Sequence, residues 1–181
     1  MMNIELESMA IAMPAVLGHP NRQPFRGVLT LVDVVSNKAP AGARGHRVVL
    51  TRTAAETALA SLLGMALDYS LSLDRHDTRR KVGVITRAEL AGRELELGGY
   101  LFAKDFPEIV RQIGQGRSCQ RALDAASPER HECLAMSYEI ADARVADMTA
   151  KVWTLTQVTF TGAAILRRDK AAYRDTWIEL D

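Results

Sequence analysis

A histidine, a serine and a glutamate form the most distinctive chemical pattern in this chain. His76 lies in Leu73-Asp-Arg-His-Asp-Thr-Arg-Arg80, a polar stretch directly before the apolar run Val82 to Thr86. An imidazole at the mouth of a strand, flanked by acids, can serve as a general base near neutral pH. Ser137 interrupts the apolar run Leu134-Ala-Met-Ser-Tyr-Glu-Ile140. A hydroxyl is a poor nucleophile until a base takes its proton, so Ser137 needs an imidazole within hydrogen-bond reach. Glu139 stands two residues further on. Positions i and i+2 of a strand share a face, so its carboxylate can lie beside the same pocket and orient an imidazole. Each residue also has a plainer reading, as a surface histidine, a serine tolerated on one strand face, or a solvent-facing acid. For His76 and Ser137 the local sequence taken alone favours that plainer reading.

The other candidates are weaker. His19 and His46 sit in proline- and glycine-rich or loop contexts, and His131 belongs to the polar loop before the Ser137 run. Neither GxxxxGK[ST] nor GxGxxG occurs, so nucleotide binding has no support, and the missing GxSxG elbow argues against an α/β-hydrolase. No CxxC or HxxxH spacing is present, so no metal and no cofactor is expected. Cys119 and Cys133 are too few for a disulfide framework; two reduced thiols are the expectation, with a bridge closing a short loop as the alternative. The cluster Arg79-Arg80-Lys81 reads as a solvated face.

Several elements must position these groups. The β-branched run from Gly27 to Val35 reads as a strand, and His46 to Thr51 as a second, shorter one. Thr53 can cap a helix over Ala54 to Leu63, with Glu56 completing a capping box and Gly64 ending it. Lys81 to Thr86 and Glu94 to Phe102 form a hairpin around Ala91-Gly92. Pro107 to Ile113 reads as a helix with one apolar face. Gly114 to Glu132 is a long polar loop. Leu134 to Ile140 and Lys151 to Thr161 are strands, whereas Ala143 to Ala150 and Ala163 to Tyr173 are ambiguous. The expected class is α+β, mainly β: an antiparallel β-barrel surrounded by a few short helices. Residues 1–26, with Pro14, Pro20 and Pro24, read as a flexible leader before a single domain over 27–181.

The chain has 181 residues, of which 48% are hydrophobic and 25% charged, as in an ordinary globular domain. Its net charge of +1 gives no strong basic excess, so no nucleic-acid partner is expected. No apolar run reaches the length of about 20 residues that spans a bilayer. The first residues, with Glu5 and Glu7 before any basic residue, do not form a secretory signal, so action in the cytosol and no membrane partner are expected.

The order of these features resembles the prohead proteases of tailed bacteriophages. The likeness rests on His76-Asp77, Lys81-Val-Gly-Val-Ile-Thr86, Leu95-Glu-Leu-Gly-Gly-Tyr-Leu-Phe102, Met136-Ser-Tyr-Glu139 and the strand from Trp153 to Phe160, with Tyr173 in the closing segment. It implies a fold like herpesvirus assemblin and a serine endopeptidase in which His76 and Ser137 are the working pair. Glu139 is then the first choice as third member, with Asp142 and Asp147 behind it, and Arg167 and Arg168 match an arginine pair that helps hold the oxyanion. The implied substrates are the scaffold and major capsid proteins and the protease itself, cleaved during head maturation inside an assembling prohead in the host cytoplasm. A homodimer is the expected assembly. Two positions depart from the family pattern: Ala135 stands where glycine is common, and Thr154 where many relatives carry a glutamate. The loop from Gly114 to Cys133 is longer than expected, as a lid or a self-cleavage site would be. A catalytically inactive capsid-assembly or scaffold-associated module of the same fold is the main alternative, and an unrelated β-barrel binding domain is another.

Overall fold

A computed structural model describes residues 8–115 and 133–181. Its strands are β1 (Ser8–Ala10), β2 (Gln23–Leu31), β3 (Arg47–Leu50), β4 (Ala66–Asp68), β5 (Lys81–Ala91), β6 (Glu94–Leu101), β7 (Leu134–Val145), β8 (Val152–Arg167) and β9 (Trp177–Leu180). The α-helices are α1 (Arg52–Ala58), which runs into a 3₁₀ turn over Leu59–Leu62, and α2 (Pro107–Gln115). The strand expected from Gly27 starts at Gln23, and Ser8–Ala10, inside the segment read as a leader, pairs with β5. Thr51 rather than Thr53 caps α1, its side chain accepting the Ala54 N–H at 3.2 Å.

The mainly β expectation holds, but the closed antiparallel barrel does not. The sheet is open and mixed, curled into a half-barrel, with the order β3-β8-β4-β5-β6-β2-β9, β1 added on β5 and β7 on β8. The reason is the length of β8. Its first residues pair in parallel with β3 and its later ones in parallel with β4, while β7 runs antiparallel to it. Leu155 pairs with both Leu50 and Val145, and Ala163 with both Leu67 and Tyr138, so β3 and β4 lie end to end along one edge of β8 and β7 along the other. The chain passes from β3 to β4 through α1 and its 3₁₀ turn, which span the stretch of β8 between the two pairings.

The core draws on strands and helices alike, with Phe25, Leu29, Leu62, Leu97, Ile109 and Phe160 fully buried. Each such side chain contributes about 1.5–3 kcal/mol by leaving water. The β5–β6 hairpin turns at Gly92, whose φ of 61° suits glycine. Cys133, expected as a reduced thiol, is disulfide-bonded. The chain's other cysteine, Cys119, lies outside the described residues, as do His131 and nearly all of the loop expected from Gly114 to Glu132. Among the described residues no helix is long and apolar enough to cross a membrane.

Candidate active site

The polar stretch that carries His76 is a bridge from β4 to β5, anchored in the core by Tyr69 and Leu73 and shaped by hydrogen bonds along the rest of its path. Leu73 turns the chain with φ of 53°, its N–H bonded to Ser70 O at 2.9 Å and its carbonyl accepting Arg167 N–H at 2.8 Å. Asp74 accepts from the Ser70 hydroxyl at 3.1 Å. Past His76, Asp77 N–H donates to Asp68 Oδ1 at 2.9 Å, and Asp77 O accepts from Arg80 N–H at 2.9 Å. The histidine is therefore pinned on both sides, to β8 before it and to β4 after it.

Ser137 and Glu139 sit on β7 opposite Ala164 and Gly162 of β8. The i and i+2 spacing places both on one face, as the sequence predicts. Small partners leave room above them: a Cβ added to Gly162 would lie 2.7 Å from Glu139 Oε2 and 3.2 Å from Ala66 O. Glycine is needed at 162 for that close approach.

His76 Nδ1 lies 3.0 Å from Glu139 Oε1, with the two side chains 26% and 16% exposed. A carboxylate can only accept, so Nδ1 carries the proton and Nε2 is the basic nitrogen. Desolvation holds the imidazole pKa below its ordinary value; Lys81 acts in the same direction, and the charge and hydrogen bond of Glu139 oppose it. A neutral imidazole is the form that can take a proton from a hydroxyl. His76, Ser137 and Glu139 all line one cavity of about 700 Å³. Among the described residues no hydrogen bond joins the Ser137 hydroxyl to the imidazole; such bonds commonly tighten only when substrate is bound.

Beneath this pair lies a residue that the sequence reading leaves out. Asp68 is fully buried at the end of β4, and its pKa is raised to about 7, first by burial and then by Glu139, against the lowering effects of the Asp77 N–H and Lys81. Donor atoms of Asp68, His76 and Glu139 lie within 4.8 Å of one another. These atoms could face a cation, but Nδ1 is turned onto Glu139 and Asp68 Oδ1 onto Asp77 N–H, so the groups are directed at one another and at the backbone. The signal for Asp68 is visible in hindsight as an acid inside Met65-Ala-Leu-Asp-Tyr69.

The remaining predicted site residues lie elsewhere. Asp142 is exposed on β7 with φ of 52°, and Asp147 accepts from the Thr149 N–H and hydroxyl in a local turn. Glu139 is thus the acid that the fold brings to His76. Arg167 is paired to Asp169, with its Nε and Nη2 at 3.0 and 3.1 Å from the two carboxylate oxygens, and Arg168 is nearly buried; neither lines the cavity. His46 stacks on Trp153 with ring centroids 4.5 Å apart, and His19 Nδ1 accepts the Asn21 N–H.

The edge of β7 also has chemistry. Met136 N–H donates to Thr176 Oγ1 at 3.4 Å, and that hydroxyl donates to Met136 O at 3.0 Å. The main-chain groups of Met136 therefore point away from β8. Alternation along an antiparallel pair turns those of Tyr138 the same way, so the N–H that follows Ser137 lies on the outer edge of the strand. No protein-family model matches the sequence, and no curated protein matches it.

Proposed function

We propose that this chain is a serine endopeptidase of the prohead-maturation kind, with Ser137 as nucleophile, His76 as general base and Glu139 as the residue that orients the imidazole. The observation that supports it most is the 3.0 Å contact between His76 Nδ1 and Glu139 in the cavity that Ser137 also lines. His76 Nε2 takes the hydroxyl proton as Ser137 Oγ attacks a peptide carbonyl. The imidazolium formed is stabilised by Glu139 and returns its proton to the leaving amine, and water then releases the acyl group by the reverse sequence. Tyr138 N–H follows the nucleophile and faces outward, a position suited to holding the developing oxyanion. An assisting role for Arg167 or Arg168 would require them to reach a cavity they do not line.

The cavity wall favours a peptide with apolar side chains. Val48, Ile140, Val145, Trp153 and Leu155 line it, and Arg44 is a charged residue at its wall. Apolar walls with a few convergent polar groups are the usual character of a ligand pocket. Scaffold and major capsid proteins, and the chain itself, are the proposed substrates, with the assembling prohead in the host cytoplasm as the setting and a homodimer as the assembly. The inactive-module reading makes the opposite prediction for the same residues. Hydrolysis of an unfolded polypeptide mixture, followed by mass spectrometry, separates them. Wild type is expected to cleave and Ser137→Ala to lose about 10⁴-fold or more in rate; equal cleavage by both rules out Ser137 as nucleophile.

A further inference from the structure

We propose that Asp68 is a positioning residue for this site: it anchors the His76 loop through Asp77 N–H and, as a neutral acid, donates a hydrogen bond to Glu139. The inference rests on the endopeptidase reading for its link to catalysis, but not for its geometry. Asp68 Oδ1 accepts the N–H of the residue next to His76 at 2.9 Å. Its Oδ2 is buried and, among the described residues, has no hydrogen-bond donor in range. The nearest cation, Lys81 Nζ on β5, is 4.0 Å away and 41% exposed. Carboxylate oxygens of Asp68 and Glu139 lie within 4.8 Å of each other, and Glu139 is among the groups that raise the Asp68 pKa.

Two ionised carboxylates at that separation would repel, and a proton on one of them turns repulsion into a hydrogen bond. Burial decides which one carries it. Asp68 is fully enclosed, whereas the Glu139 side chain is 16% exposed and has the imidazole as partner. Asp68–H then donates through Oδ2 to Glu139, Glu139 accepts from His76 Nδ1–H, and Nε2 is left aimed away from the acids. The groups facing Asp68 are Glu139 from β7, His76 and the Asp77 N–H from the loop, and Lys81 from β5; its β8 neighbour is Ala164.

The pH signs follow from these two groups. His76 must be neutral, so activity climbs as pH rises through a value below the ordinary 6.5. Asp68 must be protonated, so activity declines again as pH rises through about 7. Asparagine reproduces the neutral acid, with its oxygen on Asp77 N–H and its amide on Glu139. Asp68→Asn is therefore expected to keep the acidic limb and the rate at pH 6 within about threefold, and to abolish the alkaline decline. Asp68→Ala is expected to lose at least tenfold at every pH.

His76 imidazole titration by NMR in the full chain gives a readout independent of catalysis. Asp68→Asn should leave that titration within about 0.3 pH unit of wild type, and Asp68→Ala should move it towards 6.5. The inference is overturned if Asp68→Asn moves it as far as Asp68→Ala, or if addition of Mg²⁺, Mn²⁺ or Zn²⁺ shifts it in wild type and not in Asp68→Asn, which would make the cluster a cation site. If neither wild type nor variants cleave peptides yet the NMR pattern holds, Asp68 keeps its role and the endopeptidase reading fails.

Discussion

Two regions of this sheet are specified by different physics. In the β2–β6–β5 region, strands run strictly antiparallel, and β6 alternates buried and half-buried residues from Glu94 to Gly98. Its order comes from apolar side chains such as Leu95, Leu97 and Ile85 entering the core. In the β4–β7–β8 region, a fully buried acid, a desolvated imidazole and a second acid meet. Their order comes from hydrogen bonds between residues 9 and 63 positions apart. The first arrangement stores stability; the second spends some of it to hold polar groups in one orientation.

Substitutions that separate activity from stability should break that contrast most sharply. His76→Ala is expected to lower peptide hydrolysis by about 10⁴-fold or more while leaving thermal unfolding nearly unchanged, because its ring is partly exposed. Leu97→Ala should do the reverse. It removes a core side chain and costs about 2–5 kcal/mol, read by urea unfolding, with little change in the rate per folded molecule. A large stability loss in His76→Ala, or a rate loss in Leu97→Ala with stability intact, would mean that the two regions do not divide in this way.

A finer comparison uses one substitution in both regions. A Cβ on Gly99 would lie 2.0 Å from Val84 O, a main-chain atom that cannot swing aside. A Cβ on Gly162 would first meet Glu139 Oε2, the tip of a side chain. Gly99→Ala should thus cost about 1–3 kcal/mol of stability. Gly162→Ala should lower the hydrolysis rate about tenfold or more by turning the carboxylate from His76, with a smaller change in stability. The two would be indistinguishable if Gly162 served only the sheet.

The same contrast explains what could be read from the sequence. Hydrophobic periodicity and Gly92 sufficed to locate the β5–β6 hairpin, because its partners are close in the chain. Periodicity also placed Ser137 and Glu139 on one face of β7. It could not reveal β4, three residues long, nor that β4 and β3 run parallel to β8, since those pairings join residues about a hundred positions apart. That missing parallel edge turned an expected closed barrel into an open sheet. Asp68 was hidden with β4: an acid in a short apolar stretch becomes informative only once its neighbours Asp77 and Glu139 are known. Glu139, which the sequence ranks ahead of Asp142 and Asp147 for its spacing from Ser137, lies 3.0 Å from His76, a contact across 63 positions that strand spacing does not carry.

The most direct measurement is covalent labelling with a serine-directed phosphonate, followed by peptide mapping of the modified residue by mass. Labelling confined to Ser137 in wild type and lost in His76→Ala is the expected result. Labelling of another residue, or equal labelling of Ser137 without the imidazole, would contradict a hydroxyl activated by His76.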